Sequence, residues 1–115
     1  MTNAETKRLI SKYVKWWVHW LGLGYQSVKA KFVDHWEGGL DCDALCETDW
    51  RYMESVITFN ISHLSGMDEN TIEVTVVHEL MHVFLNEMRE SGIDHEERVA
   101  SMLQKAFVWV KGASK

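Results

Sequence analysis

Apolar and polar positions change period several times along the chain, and each change predicts an element. From about Ala4 to Leu21, the residues Leu9, Ile10, Tyr13, Val14, Trp17, Trp20 and Leu21 recur at helical spacing. Arg8, Lys12, Lys15 and His19 line the opposite side, and Gly22 and Gly24 stop the helix. From Gln26 to Asp34 the period falls to two, with Val28, Ala30 and Phe32 alternating with Lys29 and Lys31, the pattern of a half-buried strand. Gly38-Gly39 and a run of acids predict a loop, followed by a weak edge strand near Asp43–Thr48. A turn around Asp49–Tyr52 leads to a clearer strand, Glu54–Ile61, with Ile57, Phe59 and Ile61 facing one way. After a loop at Ser65-Gly66-Met67-Asp68, the spacing predicts a long helix from about Asn70 to Glu90. Gly92 ends it, and Asp94 can cap a last helix running to about Val110, with the stripe Val99, Met102, Leu103, Ala106, Phe107 and Val110. This order predicts an α+β fold: an N-terminal helix, a small three-stranded sheet, then two helices, with the helices covering one face of the sheet.

Composition narrows the setting. At 115 residues the chain, 1–115, is expected to form a single domain. An apolar share of 46% and a charged share of 25% are those of a soluble globular protein. No apolar run is long enough to cross a bilayer, and the polar start Met1-Thr2-Asn3-Ala4-Glu5 is not a signal peptide. Cys42 and Cys46 stand four apart and enclose too short a loop for a disulfide to stabilise much, so free thiols in a reducing cytoplasm are expected. A net charge of −5 without a long basic run argues against a nucleic-acid partner. Asp41, Asp43, Glu47 and Asp49 read as a solvated acidic loop. Trp16, Trp17 and Trp20 read as core at helical spacing, with a partner- or membrane-contact surface, or a dimer contact, as the alternative; oligomeric state is not readable.

The chemistry concentrates in His78-Glu79-Leu80-Met81-His82. Residues i and i+4 lie one turn apart on one helix face, so His78 and His82 can direct a ring nitrogen each at one zinc ion. Glu79 projects beside that metal, where its carboxylate can act as general base toward a zinc-activated water. Val76, Val77, Leu80, Met81, Val83, Phe84 and Leu85 make the helix apolar nearly all round, and buried histidines in such a helix are costly unless satisfied. Core histidines bonded to backbone or carboxylate groups are the plainer alternative. By composition the five-residue pattern arises by accident in only on the order of one chain in a hundred of this length.

Zinc takes a third protein ligand and, in a catalytic site, keeps a fourth position open. Candidates stand in Asp94-His95-Glu96-Glu97. With the last helix's stripe centred at Val99, Glu96 falls about 60° away on the core side and Glu97 about 160° away, toward solvent. Glu96 is therefore the expected third ligand. Glu97, which could instead complete a capping box with Asp94, and His95 are the alternatives.

The runs Val76 to Leu85 and Glu96-Glu97-Arg98-Val99-Ala100-Ser101-Met102-Leu103 resemble the compact zinc metallopeptidase-like domains of bacteria and phages, the minimal gluzincins and the ImmA/IrrE-like group. The resemblance covers roughly Cys42 to Phe107, and its specific part is the HExxH motif. It implies a zincin-like fold and a zinc-dependent metallopeptidase, a hydrolase with a protein or peptide substrate lying along the edge strand near Asp43–Thr48. It also sets a departure in view. Ala100 and Ser101 stand where larger gluzincins often carry an acid orienting a histidine. No second lobe supplies an electrophile, for which Tyr52, His35 or His63 are candidates. A non-catalytic, zinc-stabilised protein-binding module on the same fold is the alternative function.

Overall fold

The computed structural model describes residues 1–34, 42–49, 51–92 and 94–113. Helix α1 (Asn3–Trp20) opens with a capping box: the Thr2 hydroxyl accepts the Glu5 N–H, and the Glu5 carboxylate accepts the Thr2 N–H. Gly22, at a φ of 72°, turns the chain out of the helix in a conformation that only glycine adopts freely. Strands β1 (Ser27–Val33), β2 (Ala44–Asp49) and β3 (Glu54–Asn60) follow. Asn60 caps the short α2 (Ile61–Leu64), and Asp68 caps α3 (Glu69–Phe84) by accepting the Thr71 N–H at 2.7 Å. Then come α4 (Asn86–Glu90) and α5 (Glu96–Ala113).

These bounds agree closely with the periodicity, with two differences. Ile61, expected as the last residue of the strand, instead opens the helical turn α2 ahead of the loop at Ser65–Asp68. The helix expected from Asn70 to Glu90 is interrupted at Leu85 and resumes as α4.

The sheet has the order β1-β3-β2. β1 pairs parallel with β3, from Ser27↔Glu54 to Val33↔Asn60, and β2 pairs antiparallel with β3, from Ala44↔Phe59 to Asp49↔Glu54. The rows Ala30–Ile57–Cys46 and Phe32–Phe59–Ala44 lie on the face that packs into the core, under the helices. Lys29–Val56–Glu47 and Lys31–Thr58–Leu45 form the other face, as alternation requires. The architecture is α+β with the helices gathered on one side of a small sheet.

The register also fixes which backbone groups of β2 face away from β3. Asn60 N–H donates to the Asp43 carbonyl at 2.8 Å, so Asp43, Leu45 and Glu47 bond toward β3. Ala44 and Cys46 turn their N–H and C=O groups to the free edge.

Helix α3 is the hub. Ile72, Val76, Val77, Leu80 and Met81 are fully buried. The Tyr13 hydroxyl donates to Glu69 at 2.6 Å, and Trp17 Nε1 donates to Glu73 at 2.9 Å, which ties α1 to α3. Lys111 of α5 also reaches Glu73. Trp17 is buried as expected, whereas Trp20 is 67% exposed and Trp16 is 38% exposed. The expectation that all three tryptophans are core is corrected for these two. The stripe containing them is wider than α3 can cover. Among the described residues, no helix is long and apolar enough to cross a membrane.

Candidate metal centre

Three side chains from two helices converge at one end of α3. His78 Nε2 lies 3.2 Å from Glu97 Oε2, and His82 Nε2 lies 2.8 Å from Glu97 Oε1. One nitrogen from each ring and one carboxylate oxygen all fall within 4.8 Å of one another. The ring centroids are 5.0 Å apart with planes inclined at 75°, and both Nε2 atoms meet the Glu97 carboxylate. Helical i, i+4 spacing brings the histidines together, and antiparallel packing of α5 on α3 brings Glu97 to them.

The other side of His82 has its own partner. Its Nδ1 contacts the Glu96 carboxylate, which Arg89 holds through Nε at 3.2 Å and Nη2 at 3.0 Å. A carboxylate on Nδ1 takes that N–H and leaves the Nε2 lone pair for a metal. Burial raises the Glu96 carboxyl, but its bonds to His82 and Arg89 outweigh burial and hold it below the usual carboxylate range.

Glu96, expected as the third ligand, therefore lies behind His82, and the structure groups Glu97, the alternative, with the two Nε2 atoms. The physical reason is the rotation of α5 about its own axis. Ala100 is its fully buried residue, while Met102 is 67% exposed, so the packed face centres near Ala100 and not near Val99. Counted from Ala100, Glu96 and Glu97 fall about 40° and 60° to either side, and both reach α3. Burial itself was read in the right order, since the Glu96 side chain is 13% exposed and that of Glu97 77%. The carboxylate on the open side is the one that meets both Nε2 atoms. His95, read as core-facing, is exposed and has a φ of 76°.

Glu79 is buried, and its Oε2 has no hydrogen-bond partner. Burial pushes its carboxyl up to about 7; His78 opposes the shift and Glu97 adds to it. A solitary buried carboxylate oxygen beside two histidines is costly unless a ligand meets it. Glu79 also lines a cleft of about 510 Å³ bounded by Ala44, Leu45 and Cys46 of β2 on one side and Thr75, His78 and His82 of α3 on the other. The edge strand expected near Asp43–Thr48 is thus β2, and its free edge borders the cleft.

The candidate electrophiles are not gathered there. Tyr52 is 69% exposed on the β2–β3 turn, and His63 pairs at 3.4 Å with Asp43, which lines the cleft where His63 does not. His35 lies outside the described residues. Cys42 and Cys46 both line the cleft. Arg89, also on the cleft wall, went unremarked in the sequence. Its signal was present: it stands seven residues after His82, on the same face of a continuous helical pattern.

The donor set fits a zinc ion. It offers two imidazole nitrogens and one carboxylate oxygen, with a second carboxylate fixing one ring and an open side toward the cleft. Compared with known proteins, the chain matches no family model, no curated protein and no solved structure.

Proposed function

We propose that this chain is a zinc-dependent metallopeptidase with a zincin-like fold, in which His78, His82 and Glu97 hold one zinc ion. The observation that carries the proposal is the convergence of those three side chains beside the partnerless Oε2 of buried Glu79. Zinc, when bound, supplies Lewis acidity at the substrate carbonyl and lowers the pKa of a water toward neutrality.

The chain's own residues do the rest. The outward N–H and C=O of Ala44 pair with an extended peptide and present its carbonyl to the cleft. Glu79 takes a proton from the attacking water, then returns it to the amine nitrogen as the C–N bond breaks. Water is consumed, and a carboxylic acid and an amine are released. The apolar wall of Val74, Ala44 and Leu45 limits bulk water around the reacting carbonyl.

Glu79→Gln tests the proposal. Zinc content should stay at one equivalent while turnover of a mixed peptide library falls by at least about a hundredfold, as for loss of a general base. Wild-type protein carrying zinc but cleaving nothing in that library would refute the peptidase and leave the zinc-stabilised binding module.

A further inference from the structure

The proposed mechanism makes no use of Arg89, although this side chain, on α4, bonds to two other elements around the site. Its Nε and Nη2 donate to the two oxygens of Glu96, and its Nη1 donates to the Cys46 carbonyl at 3.3 Å. Glu96 comes from α5 and Cys46 from β2, while Arg89 itself stands on α4. Glu96 in turn meets Nδ1 of His82 on α3. One planar guanidinium thus sets where a carboxylate sits behind a histidine and where that assembly lies relative to the sheet edge.

We propose that Arg89 is a positioning residue for the metal centre: it holds Glu96 in the orientation that fixes His82 with Nε2 toward the cleft, and it anchors this pair to the open edge of β2. The inference rests on the zinc reading above. Three N–H groups pointing in fixed directions are needed, which a guanidinium provides and an ammonium point charge does not. There is a consequence for substrate. The Cys46 carbonyl, one of the outward acceptors of β2, is already taken by Arg89. An extended peptide pairing at Ala44 would therefore meet the Arg89 guanidinium at the next outward carbonyl and share that acceptor with it.

The test measures zinc affinity of the full chain by competition with a chromophoric chelator, together with the visible spectrum of the cobalt(II)-substituted protein. Metal-free circular dichroism confirms that each variant folds. Arg89→Met should weaken zinc binding by about 10–100-fold and alter the cobalt spectrum, as expected for loss of a group orienting a ligand. Arg89→Lys should stay close to Arg89→Met, since charge without the fork does not rescue. Glu96→Gln should weaken binding to a similar degree, and the Arg89→Met/Glu96→Gln double variant should lose little more, because Arg89 acts through Glu96. Arg89→Gln carries the same expectation if the methionine variant does not fold.

Wild-type affinity and spectrum in the Arg89 variants, with His78→Ala losing zinc, would overturn the role of Arg89 alone. So would full rescue by lysine, or losses that add in the double variant. Failure of the wild type to bind zinc, or wild-type binding by His78→Ala, would overturn the metal reading and this inference with it.

Discussion

Lys111→Met should destabilise the fold by about 2–3 kcal/mol, because it strands a carboxylate at the junction of three helices. Glu73 of α3 accepts Trp17 Nε1–H at 2.9 Å and pairs with Lys111, and only 12% of its side chain is exposed. Breaking a fully buried pair on one side costs about 3–5 kcal/mol. Lys111 is 21% exposed, so water partly replaces it and the loss falls to about 2 kcal/mol. The ammonium also sits 4.5 Å from the Trp16 ring centroid, 5.3 Å from Tyr13 and 5.5 Å from Trp17. Losing these contacts adds about 0.5–1 kcal/mol. For 115 residues, the unfolding entropy of such domains converts the total into a drop in Tm of about 10 °C.

Urea unfolding should be followed by far-ultraviolet circular dichroism, since tryptophan fluorescence would report the altered contacts themselves. A double-mutant cycle completes the experiment. In Glu73→Gln/Lys111→Met the amide still accepts the Trp17 N–H and no charge is stranded, so the double variant should be more stable than Lys111→Met alone. A cost below about 0.5 kcal/mol for Lys111→Met, or a double variant no more stable than that single, would mean that Glu73 is not stranded when Lys111 is lost.

Other predictions follow from single contacts. Glu97→Ala should abolish the zinc-dependent rise in Tm, which in the wild type amounts to about 2.7 kcal/mol of stabilisation with free zinc at about a hundred times Kd; an undiminished rise would return the third-ligand role to another residue. Burial, with the Glu79 charge adding, pushes the Cys46 thiol up to about 12, so almost no thiolate exists at pH 8. Native protein should then react with at most one equivalent of a thiol-specific reagent at that pH, the second reacting only on unfolding; rapid labelling of Cys46 in the folded state would contradict this. Hydrogen bonding to Thr71 holds the Asp68 carboxyl below its ordinary value in the fold. A lowered folded-state pKa gives stability that is present above the unfolded pKa and lost as pH falls through the folded one. Asp68→Ala should therefore lower Tm at pH 7, with the gap from wild type closing under acid; a gap independent of pH would mean the cap contributes only through its neutral shape.

Periodicity and caps determined much of the fold, because they depend on neighbours a few residues apart. The stripe of α1 and the alternation in β1 and β3 form where local spacing puts them. The same is true of His78, Glu79 and His82, since helical geometry alone places an i, i+4 pair on one face. Tertiary packing decided the rest. Nothing local makes β1 a neighbour of β3 and β2 the edge beside α3; that order comes from how the helices cover one face of the sheet. The third member of the histidine cluster depends on the rotation of α5, and packing of Ala100 against the core sets that rotation against the bias of its own apolar residues. Met102 and Val110, both in the stripe read from the sequence, remain exposed because the rotation of α5 turns them from the core. Arg89 shows the same limit. Its distance from His82 in sequence is suggestive, but its bonds to Glu96 and to the Cys46 carbonyl exist only because α4, α5 and β2 meet there.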